Sequence, residues 1–398
     1  MCLVGSEPVS DFILLEQYAQ DRRAETWEAV IKKALDGLSV DLVQMTSDNG
    51  RWLVSLAKQR LGVHHSPDLF HPHQDISRAT SVRLGQKIAE AEKGVAAAQE
   101  ALEETKKKAQ APRGVGRPPN HAARIAQAEQ DVEDAEAVLD EARQRKETLR
   151  EEARGISQSY HPFDPETGEV RDAETVQRDI NEHFDAIEEV ADKAGISSKC
   201  WELLQKARHL VPQMVATIVF VHRKIAETLS DMAVTEQVKA AMSDYLIPLM
   251  YLKEVARKAT TADARDKVLQ TCERLQERST QAIAVLDALT EQDRARIEFM
   301  ARICAQFFQR SSSNVEGRNG YLALRHHSLH HLSPRKLRAL TVIHNYMIRR
   351  RSDGLTPAER FFEQSHDDLF QYLLLTLPPP KRPAARRATV PSADRVLN

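Results

Sequence analysis

Residues 84–109, LGQKIAEAEKGVAAAQEALEETKKKA, decide how the middle of this 398-residue chain folds. Small and apolar residues recur there at alternating gaps of four and three, which is the heptad seam of a coiled coil. The seam consists of Leu84, Ile88, Ala91, Val95, Ala98, Leu102, Thr105 and Ala109. The stretch therefore predicts a long helix whose stripe a second helix must cover.

A second seam of the same period follows a helix-breaking segment. Residues 111–120, APRGVGRPPN, cannot continue a helix because of their prolines and glycines. The second seam runs through Ile125, Ala128, Val132, Ala135, Leu139, Ala142, Lys146, Leu149 and Ala153. The two seams predict an antiparallel coiled-coil hairpin over residues 80–155, with arms roughly 40 Å long. The tip includes Gly116-Arg117-Pro118, which also occurs in the minor-groove-binding AT-hook; a plain hairpin tip is the favoured interpretation.

Toward the N-terminus the pattern changes to α/β. Residues 12–15 and the compact apolar run VDLVQM at 40–45 have strand length, and residues 64–70 suggest a further short strand. Amphipathic helices are predicted over residues 21–38 and, ending at Gly62, after the turn at Ser47-Asp48-Asn49-Gly50. Residues 1–75 are therefore predicted to form one part of an α/β core.

Toward the C-terminus the chain is predicted to be helical, with three threonine N-caps at Thr235, Thr261 and Thr290. Ser333-Pro334 opens a helix predicted to reach about Arg351, and Thr356 to Glu359 forms a capping box. The predicted division is a helical insertion at 170–305, a second part of the core at 306–377 and a disordered basic tail at 378–398.

Composition excludes several classes of protein. The chain has no apolar run near the roughly 20 residues of a membrane span and no signal-peptide pattern. Its four cysteines, at 2, 200, 272 and 304, lack zinc-site spacing and suit a reducing cytoplasm. Two histidine groups, at 64, 65, 71 and 73 and at 326, 327, 330 and 331, match no recognised ligand set, so zinc binding is not expected.

Two carboxylates and one basic stretch are the candidates for chemistry. Asp48 follows the 40–45 strand, where hard cations bind in α/β folds, although an Asx-turn with Gly50 also explains it. Glu316 lies in SSSNVEGRNG, where paired glycines suggest close backbone approach and a surface loop is the alternative. No Asp or Glu occurs between residues 317 and 352, whereas basic residues are frequent there. This one-sign stretch favours phosphate binding over a solvated helix face. The basic residues singled out there are Arg318, Arg325, Arg335, Lys336, Arg349, Arg350 and Arg351.

Together these segments resemble a family of bacterial DDE-type transposases that carry a long helical insertion in an RNase H-like core. The resemblance rests on EPVSDFILLEQYAQDRRAETW (7–27), VQMTSDNGRWLVSLAKQRLG (43–62), SPDLFH (66–71), SSSNVEGRNGYLALRHH (311–327) and LTVIHNYMIRRRSDGLTPAERFF (340–362). It implies a mixed α/β, mostly helical fold: a partial RNase H-like sheet interrupted by a large all-α insertion that contains the hairpin.

The resemblance also implies site residues and partners. Asp48 takes the place of the second catalytic acid, after the fourth strand of a five-stranded sheet, and Glu316 that of the third, on a helix after the insertion. Both would bind Mg²⁺ in a two-metal site for DNA strand cleavage and transfer. Transposon-end DNA would be the partner of a homo-oligomer at the bacterial nucleoid, with no membrane or small-molecule substrate.

One acid of the family pattern is missing from this sequence. The first catalytic aspartate belongs to the first, central strand, whereas Met1–Val4 corresponds to the second strand and residues 12–15 to the third. Asp11 lies in the wrong strand to replace it. We therefore expect a truncated copy whose activity is doubtful, with Mg²⁺ binding weakened. A non-catalytic DNA-binding remnant and a coiled-coil scaffold protein are the alternatives.

Overall fold

A computed structural model describes residues 2–110, 120–311, 313–329 and 332–378. The fold is mixed and mostly helical, as predicted, and the strands within these ranges form two separate two-stranded sheets. The chain divides into two compact units, residues 1–20 with 320–398, called unit 1, and residues 21–319, called unit 2. No helix in the described ranges is both long enough and apolar enough to cross a bilayer.

Unit 1 combines both ends of the chain. Strands β1 (Cys2–Ser6) and β2 (Ile13–Tyr18) pair antiparallel, with Cys2 opposite Tyr18. Three helices follow from the C-terminal segment: α14 (Pro334–Tyr346), α15 (Pro357–Phe362) and α16 (Leu369–Thr376). The predicted caps are confirmed, since Ser333 caps α14 and Thr356 with Glu359 forms a capping box. The prediction that α14 reaches Arg351 is wrong, because the Arg350 N–H turns away to bond the Leu355 carbonyl.

Aromatic packing and one asparagine hold unit 1 together. Phe12 stacks on Phe361 with ring centroids 4.6 Å apart and meets Tyr346 edge-on. The buried Asn345 side chain accepts from the Ile13 N–H and donates to the Ile13 carbonyl, both at 3.0 Å. Asn345 thereby takes the place of a neighbouring strand for one residue of β2.

Unit 2 begins with a small α/β segment. It consists of α1 (Ala24–Leu35), β3 (Gln44–Ser47), α2 (Arg51–Ser55) with a π-helical continuation Leu56–Leu61, and β4 (His64–Pro67). Strands β3 and β4 pair parallel, with Ser47 opposite Pro67. The strand predicted over residues 40–45 is found at Gln44–Ser47 instead. Its partner β4 begins at His64, which pairs with Gln44, so pairing starts only there. Val40 and Val43 are accordingly exposed.

The hairpin arms are α3 (Phe70–Gln110) and α4 (His121–Ser159). Ion pairs between Lys106 and Glu129 at 3.6 Å and between Arg143 and Glu92 at 3.3 Å set the arms antiparallel within one chain. Every seam residue named above on either arm is buried or half-buried. The seam is therefore covered by the chain itself; residues 111–119, with the tip motif, lie outside the described residues.

Eight helices complete unit 2: α5 (Ala173–Ala194), α6 (Ser198–Arg208), α7 (Val211–Asp231), α8 (Glu236–Ala241), α9 (Ile247–Lys258), α10 (Ala262–Arg278), α11 (Thr280–Asp287) and α12 (Glu291–Gln306). The three predicted threonine caps are confirmed on α8, α10 and α12. A π-helical stretch, Met242–Leu246, joins α8 to α9, where Pro248 lies in the first turn. Helix α13 (Ser313–Leu329) then runs out of unit 2.

Candidate functional site

Asp48 directly follows β3, where the sequence predicted it. Its side chain is exposed, although Ser47 before it is buried. The turn is closed by the Gly50 N–H bonding the Asp48 backbone carbonyl, so it is not an Asx-turn. Among the described residues the Asp48 carboxylate accepts no hydrogen bond and forms no ion pair. Two carboxylate oxygens are therefore available to a hard cation.

Asp68 occupies the equivalent position after β4 and was not predicted from the sequence. Its N–H bonds the Ser47 carbonyl at 3.0 Å, which places it beside the end of β3. Its buried carboxylate accepts from the Phe70 N–H at 3.1 Å, at the start of α3, and contacts His71 Nδ1 at 3.1 Å. Asp68 is thus a helix-capping residue, with both oxygens in use.

The segment before α13 runs along the β3–β4 pair. Gln44 Nε2 donates to the Gln309 carbonyl at 3.1 Å, and the Leu69 N–H donates to the Arg310 carbonyl at 3.0 Å. The Arg310 guanidinium donates to two backbone carbonyls at the base of the hairpin, Ser157 at 2.6 Å and Tyr160 at 2.9 Å. Burial lowers the pKa of Arg310. The segment that leads into α13 is therefore hydrogen-bonded to β3, which Asp48 follows, and to the residue before α3.

Glu316 lies in the first turn of α13 and is exposed. The loop alternative is wrong, since residues Ser313–Leu329 are helical. The expected close backbone approach is also wrong for the part of the chain that the structure describes, because a Cβ added at Gly317 or Gly320 meets nothing there within 4 Å. Two glycines inside a helix cost stability without an intramolecular contact in return. They leave a bare strip of helix backbone beside Glu316.

The two predicted metal ligands, Asp48 and Glu316, both have carboxylates left unengaged by the described residues. Asp48 and Glu316 belong to the same unit, and Glu316, like Asp48, has no hydrogen-bond or ion-pair partner in the described residues. Those residues contain no group of three His, Cys, Asp or Glu side chains that could hold a metal ion. Oxygen ligands suit Mg²⁺, which keeps several waters and accepts one or two carboxylates. Two carboxylates would therefore suit a single magnesium ion better than a two-metal site.

The seven predicted DNA-binding residues fall into two groups. Those with exposed side chains are Arg325, Arg335, Lys336, Arg349 and Arg351, whereas Arg318 is buried and Arg350 half-buried. Arg325 packs over the Tyr321 ring, 5.2 Å from its centroid. Arg335 and Lys336 lie in the first turn of α14, where the helix dipole adds to their positive charge.

Arg349 and Arg350 have partners inside unit 1. Arg349 donates to the Gly354 carbonyl at 2.8 Å and to Glu359 Oε2 at 3.1 Å. Arg350 forms an ion pair with Asp11, which has a left-handed backbone with φ +65°. Backbone hydrogen bonds from Thr356, with Arg349 nearby, lower the pKa of Glu359. Asp11 and Glu359 thus neutralise part of the basic stretch. Of the seven predicted residues, Arg335, Lys336 and Arg351 are exposed and have no acidic partner among the described residues.

The first histidine group serves packing. His64 stacks on Phe220 with centroids 4.3 Å apart, and His65 Nε2 lies 2.8 Å from Ser47 Oγ. His73 Nε2 lies 2.8 Å from Ser157 Oγ. Burial lowers the pKa of both His64 and His65 to about 4. In the second group, His330 and His331 lie outside the described residues.

These histidines predict acid sensitivity. The unfolded chain binds protons near pH 6.5, whereas folded His64 and His65 bind them near pH 4. Stability is therefore complete above pH 6.5 and falls as the pH drops toward 4, by up to about 1.4 kcal/mol per pH unit for each histidine. Urea midpoints between pH 8 and 4 measure this fall. His65→Gln should make the slope shallower by close to one proton, and an unchanged slope would contradict the assignment.

Comparisons with known proteins name no activity. Residues 242–389 match a family described as a family of unknown function (DUF6399). The match begins in the π-helical stretch before α9 and includes α13 with Glu316 and all of α14 to α16. No curated protein and no solved structure matches the chain.

Proposed function

We propose that this chain is part of a DNA transposase of the RNase H-like, DDE type, in which Asp48 and Glu316 are acidic ligands of a catalytic magnesium site. The observation that carries the proposal is that the segment leading into α13, which bears Glu316, hydrogen-bonds to the strand pair that bears Asp48. The chain leaves β3 at Asp48 and passes through the hairpin and eight helices. It then returns to bond Gln44 and Leu69 through Gln309 and Arg310, four and three residues before α13 begins. A helical insertion in an α/β core requires such a return.

The strand pairing supports the same proposal. An RNase H-like sheet has antiparallel second and third strands and parallel fourth and fifth strands on either side of the first. Here β1 pairs antiparallel with β2, and β3 pairs parallel with β4, in two separate sheets. Within each unit, the relative direction of the two paired strands is the one that the proposal expects.

Magnesium would be held by Asp48 and Glu316 through oxygen. When bound, it supplies charge stabilisation for phosphoryl transfer. The protein contributes the position of the two carboxylates, one at a strand end and one on a helix. The bare backbone at Gly317 and Gly320 gives a phosphate backbone room to approach beside Glu316.

A second candidate function is metal-independent DNA binding. It is favoured by Arg335 and Lys336, which are exposed in the first turn of α14 and need no metal to bind phosphates. A coiled-coil scaffold has less support, because the hairpin seam is already covered within one chain. Both DNA-binding functions predict salt-sensitive binding, but only the transposase predicts that Mg²⁺ binds through Asp48 and Glu316.

The double variant Arg335→Ala/Lys336→Ala should weaken DNA binding. If each side chain neutralises one phosphate, the logarithmic salt dependence of affinity falls by about two, and affinity at 100 mM salt falls roughly 10–100-fold. Fluorescence anisotropy with duplexes of different sequence, at several salt concentrations, measures both quantities. The loss should be the same for every sequence.

Arg265→Ala/Lys267→Ala is the matched control. It removes the same charge from exposed positions on α10, far along the chain from α14. It should leave the salt dependence unchanged. Equal losses in the two variants would mean that only net charge matters and that α14 is not a DNA-binding element.

A further inference from the structure

Helix α16 carries an apolar surface that the described residues leave uncovered. None of its residues is buried, although its sequence is LFQYLLLT. Its exposed apolar side chains, together with Leu377 just beyond it, are called the α16 patch. Their exposed fractions are 62% for Phe370, 53% for Tyr372, 39% for Leu373, 65% for Leu374, 90% for Leu375 and 56% for Leu377. A helix of two turns is marginal in water and takes its stability from packing. Something must therefore cover this helix for it to persist.

The same unit carries a second apolar surface at the end of α14. This surface, called the α14-end patch, consists of Val342, Ile343, Met347 and Ile348. Their exposed fractions are 43%, 38%, 55% and 51%, respectively. Charges flank the two patches with opposite sign. Asp367 and Asp368 precede α16, whereas Arg351, which is exposed, follows the α14-end patch.

We propose that α16 packs on the α14-end patch of a second copy of this chain, so that two copies exchange their α16 helices in a twofold dimer. Two complementary patches on one chain form two identical contacts across a twofold axis. The inference does not depend on the DNA transposase proposal.

The areas involved suit a dimer. Aromatic side chains cover about 150–250 Å² each, so the six side chains of the α16 patch present several hundred Å². This is at the upper end of what a monomer exposes, about 300–600 Å². A stable interface takes about 800 Å² from each partner, which the α16 patch and the α14-end patch together approach. Arg335 and Lys336 lie at the opposite end of α14 and stay accessible to DNA.

Sedimentation velocity of the full chain over 1–100 μM tests the dimer. The wild type should dimerise, and Leu373→Glu/Leu374→Glu should weaken the dimer at least tenfold, as should Met347→Glu. Gln371→Glu adds charge to the same helix at an exposed polar position and should keep the dimer. A monomeric wild type, or a dimer that survives Leu373→Glu/Leu374→Glu, would overturn the proposal, including the case in which another protein covers α16.

A crosslink between copies tests which surfaces meet. Leu374→Cys chains mixed with Met347→Cys chains should form a mixed disulfide under mild oxidation, seen as a dimer in non-reducing electrophoresis. Leu374→Cys mixed with Leu324→Cys is the control, because Leu324 is 72% exposed and belongs to neither patch. Equal crosslinking in the two mixtures would overturn the assigned contact.

Discussion

Gly155→Ala is expected to destabilise unit 2 by about 2–3 kcal/mol, although alanine is normally the better helix residue. A Cβ at position 155 would overlap Cε1 of the His183 ring on α5. That ring cannot move freely, because Nδ1 lies 2.7 Å from Glu152 Oε2 and Nε2 lies 3.1 Å from Ser159 Oγ. The substitution must break these bonds or separate α4 from α5.

Gly94→Ala is the matched control for this prediction. Gly94 lies inside α3, and a Cβ there meets nothing within 4 Å. It should stabilise the protein by about 0.5–1 kcal/mol, because alanine loses less backbone entropy in a helix. Urea unfolding followed by circular dichroism at 222 nm measures both variants. A loss of stability in both, or in neither, would contradict the contact between Gly155 and His183.

Asn345→Ala is expected to cost unit 1 about 2–4 kcal/mol. The variant leaves the Ile13 N–H and carbonyl without the two hydrogen bonds that Asn345 supplies, and each buried unsatisfied group costs about 1–3 kcal/mol. Local opening of β2 should then be easier, so amide hydrogen exchange over residues 13–18 should be at least roughly tenfold faster.

Arg338→Ala is the comparison for Asn345→Ala. Arg338 lies on the same helix with an exposed side chain, and such substitutions change stability by less than about 0.5 kcal/mol. Its exchange rates in β2 should match those of the wild type. If Asn345→Ala also exchanges at the wild-type rate, the asparagine does not support the strand.

Features determined by nearby residues were predictable from the sequence. The hairpin followed from two heptad seams, and the caps at Thr235, Thr261, Thr290 and Ser333 followed from side chains that bond backbone three residues away. The position of Asp48 after a strand was predicted for a similar reason. Strand boundaries were less predictable: β3 starts at Gln44 because β4, 20 residues later, sets where pairing begins.

Features that depend on distant residues were not predictable. A run of arginines indicates positive charge, but the run does not show that Asp11, more than 330 residues earlier, pairs with Arg350. The same limit applies to Asn345 and Ile13, whose hydrogen bonds join the two ends of the chain. Asp68 was missed because a carboxylate used as a helix cap and an available carboxylate look alike in sequence.

The most direct test of the central claim is cleavage of the full chain by hydroxyl radicals generated at a bound Fe²⁺ ion in place of Mg²⁺. Such radicals cut the backbone close to the ion, and mass spectrometry locates the cuts. If Asp48 and Glu316 hold one ion, cuts occur near both residues, excess Mg²⁺ suppresses them together, and either Asp48→Asn or Glu316→Gln removes both. Cuts near only one residue, or cuts that survive both substitutions, would contradict the claim.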